Sequence, residues 1–138
     1  MKKGLLFLLF ISILISCKKD NEITDLKNEI SGTWELEKDL CGVCTNSVIN
    51  YPPGNKNLIV LSSDGSFERK NQDTLVFKGN YSIQRNKECN QSSGDMALII
   101  KEGSTPTPRF IQITADKLTL STPYCYQDGV ISTYRRIK

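Results

Sequence analysis

Histidine is absent from all 138 residues. Its absence removes imidazole general acid/base chemistry, Ser-His and Cys-His nucleophile activation, and the commonest zinc ligand. Tryptophan occurs once, as Trp34. Beyond the N-terminus no apolar run approaches the roughly 20 residues of a membrane-spanning helix. Excess charge is scarce as well. The formal net charge is +3, but Lys2 and Lys3 fall in an N-terminal leader, and the 122 residues after position 16 carry a balance near +1. No nucleic-acid partner or acidic substrate follows from such a balance. No carboxylate pair, phosphate-binding loop or serine-nucleophile motif stands out. The expectation is a protein that is not an enzyme, with no cofactor, no metal site and no nucleic-acid partner.

What is present begins with Met1-Lys2-Lys3, a basic n-region, followed by an almost wholly apolar run from Gly4 to Ile15. That run has the usual signal-peptide core length of about 7 to 15 residues. It ends in Leu14-Ile15-Ser16-Cys17, which resembles the bacterial lipobox. The resemblance implies cleavage before Cys17 and acylation of its thiol, by palmitate among other chains. It also implies a lipid-anchored protein of the bacterial cell envelope, expected at the outer membrane and facing either the periplasm or the surface. Two or more acyl chains give stable anchoring, each buried CH₂ contributing about 0.8 kcal/mol. The chain therefore divides into a signal peptide (1–16), a lipidated tether with a short helix (17–30) and a single domain (31–138). The remaining 122 residues suffice for a packed core.

With Cys17 assigned to lipid, Cys41, Cys44, Cys89 and Cys125 remain, an even number that in an exported chain points to two disulfides. Cys41-Gly42-Val43-Cys44 has the spacing of a redox motif, but Pro52-Pro53-Gly54 downstream excludes the helix such a motif needs. A four-cysteine zinc site would want a second closely spaced pair, and Cys89 and Cys125 are far apart in sequence.

In the tether, Lys18-Lys19-Asp20-Asn21-Glu22 is polar; it is similar to the surface-export signals of some bacterial lipoproteins and equally to a solvated linker. Ile23, Leu26 and Ile30 then form a helical stripe suited to plugging one end of the domain. From Gly32 the period becomes two. Trp34, Leu36 and Leu40 share one face of a first strand, with Glu35, Glu37 and Asp39 on the other. Those carboxylates could suggest a cation site, though a wetted face is the simpler reading. Residues 42–57 read as a connection. Further strands follow at 58–61, 66–70, 75–84, 96–101, 109–114, 117–122 and 130–137, with Leu75, Phe77, Tyr81 and Ile83 directed inward. Eight short antiparallel strands joined mainly by hairpin turns fit an up-and-down barrel or a sandwich.

At this point the residues resemble a family. Gly32-Thr33-Trp34 is similar to the G-x-W signature of the lipocalin or calycin group. Asp64-Gly65-Ser66-Phe67, Gly79-Asn80-Tyr81-Ser82-Ile83, Lys117-Leu118-Thr119-Leu120 and Tyr134-Arg135-Arg136-Ile137 resemble recurring pieces of small lipocalin-like lipoproteins. The likeness spans Ser31 to Lys138. It implies an all-β, eight-stranded antiparallel barrel with a short N-terminal helix, closed at one end by an arginine packed over Trp34. That arginine maps to Arg136 or Arg135. An eight-stranded barrel is just wide enough to be filled by its own side chains or to hold one small ligand.

Counting strands from Trp34 at the closed end puts the Cys41/Cys44 loop and Cys125 at the open end, and Cys89 at the opposite one. The expected pairing is Cys125 with one of Cys41 and Cys44, and Cys89 with the other, which requires either that its loop folds back along the barrel or that the count holds one strand too many. Functionally, the expectation is a lipid-anchored barrel that binds a small apolar molecule, with no particular residue singled out for the ligand. The alternative is an interaction module of the same fold with a filled core, acting as inhibitor, adhesin or assembly subunit.

Overall fold

Alternation with a period of two gives each strand one apolar face, and a sheet that rolls up and joins its own edges buries those faces together and removes its free edges. The computed structural model describes residues 21–41, 48–86, 95–102, 106–123 and 129–137, and it follows that logic. Residues 21–30 are helical. The strands are β1 (Gly32–Cys41), β2 (Val48–Asn50), β3 (Leu58–Leu61), β4 (Ser66–Asn71), β5 (Thr74–Asn86), β6 (Asp95–Ile100), β7 (Thr107–Thr114), β8 (Lys117–Ser121) and β9 (Val130–Arg136). All neighbours are antiparallel, and β9 pairs back onto β1 to close an eight-stranded barrel. The eight expected strands are those of the barrel. β2, expected to be part of a connection, is a three-residue strand beside Lys38–Leu40, above the stretch where β1 pairs with β3.

Turn chemistry sets the alternation of ends. Between β3 and β4, Asp64 Oδ1 accepts from the Ser66 N–H at 2.8 Å, and Gly65 takes φ of 95°. A Cβ at Gly65 would stand 3.2 Å from the Tyr81 carbonyl oxygen, so both conformation and space favour glycine. Between β4 and β5, Gln72 and Asp73 both adopt positive φ, the backbone of the tight hairpin turns that match strand twist.

The core sits at the end where the helix meets the barrel. Ile30 is fully buried and Ile23 and Leu26 pack against the core, so the apolar stripe of the helix plugs that end. Trp34, Leu61, Leu98 and Leu118 lie just beyond it, each essentially without solvent contact. The Trp34 Nε1–H donates to the Ile30 carbonyl at 2.7 Å. The Arg136 guanidinium lies 4.1 Å from the centre of the indole. It also donates to the Ser31 and Glu29 carbonyls at 2.9 and 2.6 Å, satisfying oxygens that the helix leaves free at its C-terminus.

Two strand irregularities correct the expected facing of side chains. On β1 the pairing passes from Leu36↔Tyr134 to Lys38↔Thr133, leaving Glu37 as an extra residue. A bulge reverses the side chains beyond it. Asp39 consequently lies on the face of Trp34 and Leu36, where the Ser132 hydroxyl donates to it at 2.6 Å, and Leu40 takes the outer face. On β5, Val76 is the extra residue between Arg69↔Phe77 and Lys70↔Leu75. Leu75, expected inside, is thereby turned out and 51% exposed. Tyr81 and Ile83 are buried, and Phe77 packs against the core with its ring centre 5.8 Å from that of Phe67.

Because Trp34 is the only indole, its emission reports directly on the closed end. In urea unfolding followed at that signal, Leu118→Ala is expected to cost about 2 to 5 kcal/mol through the cavity it leaves. Arg136→Met is expected to cost roughly 2 to 4 kcal/mol, from the cation–π contact and two charge-assisted hydrogen bonds.

Candidate functional site

Above the packed end the barrel interior changes character. Side chains from β3, β4, β6, β7, β8 and β9 enclose a cavity of about 330 Å³, within the usual range for small-molecule sites of roughly 300 to 1,000 Å³. Ile59, Phe67, Ile100 and Leu120 give it apolar walls, and the first two and Leu120 are buried. Arg69, Glu102, Arg109, Ser132 and Tyr134 supply the polar groups. A second hollow of about 430 Å³, lined by Leu36, Tyr51 and Val76 among others, shares Ile59, Arg69 and Tyr134 with the first. It lies where β1 has left β3 for β2 and β4 runs on without a β3 partner beyond Lys70.

Each polar group has a traceable partner. Arg69 on β4 is ion-paired with Glu102, just past β6, so the pair spans β5. Arg109 Nη1 donates to the Thr122 hydroxyl at 2.5 Å, and that hydroxyl is also engaged with the Val130 carbonyl and N–H. Asp39 accepts from the hydroxyls of Ser132 at 2.6 Å and Tyr51 at 3.3 Å. The Tyr134 phenol is held above its ordinary value, first by burial and then by the Asp39 carboxylate, with Arg109 and Arg69 acting in the opposite sense. Tyr51 is likewise raised, by burial and by Asp39.

Of the two candidate arginines, Arg136 lies over Trp34 and Arg135 lies beside Glu35, with Nε 3.6 Å from its carboxylate. The expected wetted or cation-binding face of Glu35, Glu37 and Asp39 is not formed. Glu35 is 4% exposed and its two oxygens accept from the N–H groups of Gly54 and Lys56 at 3.0 and 3.1 Å. Glu37 pairs with Lys117 at 3.0 Å, and the bulge sends Asp39 to the opposite side. Glu35 is a clamp for the turn at 52–57, where a carboxylate offers two acceptors to backbone donors that would otherwise lack partners. Among the described residues no cluster of three metal-ligating side chains occurs.

Cys41 ends β1 opposite Val130. Cys17, Cys44, Cys89 and Cys125 lie outside the described residues. The roots of the two cysteine-bearing connections are placed, however. Thr122 and Val130, flanking the Cys125 connection, are hydrogen-bonded at 3.0 Å beside Cys41. Asn86 and Asp95, flanking the Cys89 connection, pair at the other end, where Arg85 meets Glu22 of the helix.

Sequence reasoning did not single out Arg69, Arg109, Ser132 or Tyr134. The signal available was parity: Arg109 precedes Ile111 and Ile113 at intervals of two, and Arg69 follows Phe67 by two. A cation sharing the apolar face of a strand points to the interior. No protein-family model, curated protein or solved structure matches the chain.

Spectrophotometric titration of tyrosine is expected to show Tyr134 ionising above the ordinary value of ~10, within a late phase whose amplitude Tyr134→Phe reduces by one residue. Since the folded-state value is the higher one, stability is unaffected by this group below pH ~10 and falls as pH rises from there through the folded value.

Proposed function

We propose that this protein is a lipid-anchored envelope lipoprotein of a bacterium, with a lipocalin-like barrel that binds a small, largely apolar molecule and performs no chemistry on it. One observation carries the binding reading: the barrel is hollow above its packed end, where four apolar side chains and five polar ones surround a cavity of about 330 Å³. An interaction module built on a filled core would have no such space. Support for the anchor comes from the leader and Ser16-Cys17. The helix that follows the tether plugs the closed end, so the described N-terminal residues lie at the end of the barrel away from the cavity.

For the disulfides, the placement of Cys41 beside the root of the Cys125 connection supports Cys125 paired with Cys41 or Cys44. The roots of the Cys89 connection stand at the opposite end of the barrel and lend the second expected pair no support. Non-reducing peptide mapping separates the three pairings.

One observation favours the second reading, an interaction module. The outer edge of β2 has no partner among the described residues, and Val48 and Ile49 on it are exposed, 44% and 52%. Free edges of this kind accept added strands.

Extraction of the natively expressed protein followed by mass spectrometry is expected to recover a bound small molecule, and Ile100→Trp, which fills the cavity, is expected to abolish its recovery. Recovery of nothing from the parent protein, with a stoichiometric protein partner in its place, favours the module. For the anchor, Cys17→Ser is expected to eliminate labelling by a palmitate analogue; persistent label on the variant overturns it.

A further inference from the structure

Arg109 projects from β7 onto the cavity wall, half-buried, with one hydrogen bond to a neutral hydroxyl and no ion pair among the described residues. A guanidinium carries five N–H donors in a planar fork, and a cation withdrawn from water toward an apolar wall is costly until an anion meets it. The other charges around the cavity are already engaged. Arg69 and Glu102 neutralise each other, and Asp39 is turned to the hydroxyls of Ser132 and Tyr51. Arg109 is thus the cavity charge whose counterion is missing from the chain's described residues.

We infer that the ligand of this barrel is an amphiphile with a carboxylate head, received by the Arg109 guanidinium beside the Tyr134 hydroxyl, with its apolar part against Ile59, Phe67, Ile100 and Leu120. The inference rests on the binding function proposed above and specifies its ligand class. Charge count favours a single negative charge, because a doubly charged phosphate would meet one free guanidinium and two nearby carboxylates, Glu102 and Asp39. Arg69, Arg109 and Tyr134 line the same cavity. At about 30 Å³ per non-hydrogen atom, the share of one water in the liquid, the cavity of about 330 Å³ holds roughly ten such atoms. That matches a medium-length acid such as octanoate.

The test uses the protein reconstituted in lipid nanodiscs, with calorimetric titration of octanoate and of its neutral isostere octanamide, and empty nanodiscs subtracted. Octanoate is expected to bind about tenfold or more tightly than octanamide, the margin of a charge-assisted bidentate contact. Arg109→Gln is expected to erase that margin by weakening octanoate to the level of octanamide, and Arg109→Lys, which keeps the charge, to restore part of it. A cooperative urea transition at the Trp34 emission shows that each variant is folded. Equal affinity of the parent protein for both compounds, or a margin that survives Arg109→Gln, overturns the carboxylate inference and leaves the binding function standing. Binding of neither compound, together with no molecule recovered on native extraction, overturns both.

Discussion

A buried indole must place its N–H on an acceptor and its faces on something other than water. Here both needs are met by the same short segment and by the far end of the chain. Trp34 donates to the carbonyl of Ile30, the last helical residue, and Arg136 covers its face while bonding to the carbonyls of Ser31 and Glu29. Helix, first strand and last strand are thereby tied at one point, and that point is where a barrel must join its two ends. The β1–β9 seam starts beside it, at Trp34↔Arg136. Closure of the sheet and docking of the helix are consequently one event energetically: the residue that seals the seam also caps the helix.

The tight closed end has a counterpart in the loosely filled open one. With Ile30, Trp34, Leu61, Leu98 and Leu118 packed at the bottom, the large apolar side chains are spent there, and arginine, serine and tyrosine occupy equivalent inward positions higher up. Polar groups of that length reach one another across strands, as Arg69 does to Glu102, without filling the space between. A cavity results at one end and a solid core at the other. On the proposed function the two ends divide the work, the core and the nearby tether holding the molecule to its membrane and the hollow facing a ligand.

Bulges do more here than adjust twist. At Glu37 the extra residue sends the Asp39 carboxylate inward to Ser132 and sets Leu40 outside. At Val76 it removes Leu75 from the interior at the mouth, where an inward leucine would narrow the opening. Both bulges sit in the upper half of the barrel, and both exchange what a strict alternation would have put inside. The lower half keeps its alternation unbroken from Phe77 through Ile83, and it is the half that is fully packed.

The strand count, the antiparallel order and the plugging helix were legible because each depends on local pattern: period two for the strands, glycine and Asp-Gly chemistry for the turns, and an i, i+3, i+7 stripe for the helix. Trp34 at the seam was legible for the same reason, as the lone large aromatic at the head of the first strand. The cavity was not, since its lining comes from six strands whose side chains meet only after closure. Glu35 shows the limit most plainly. Its place in a charged row suggested solvent, and only the turn at 52–57 folding over it made it a buried clamp. Likewise the parity of Arg109 with Ile111 and Ile113 was written in the chain, whereas its want of a carboxylate is a property of the closed barrel. Local periodicity determines which faces are apolar. Which groups find partners is decided in three dimensions, because hydrogen bonds and ion pairs form between residues that the sequence holds far apart.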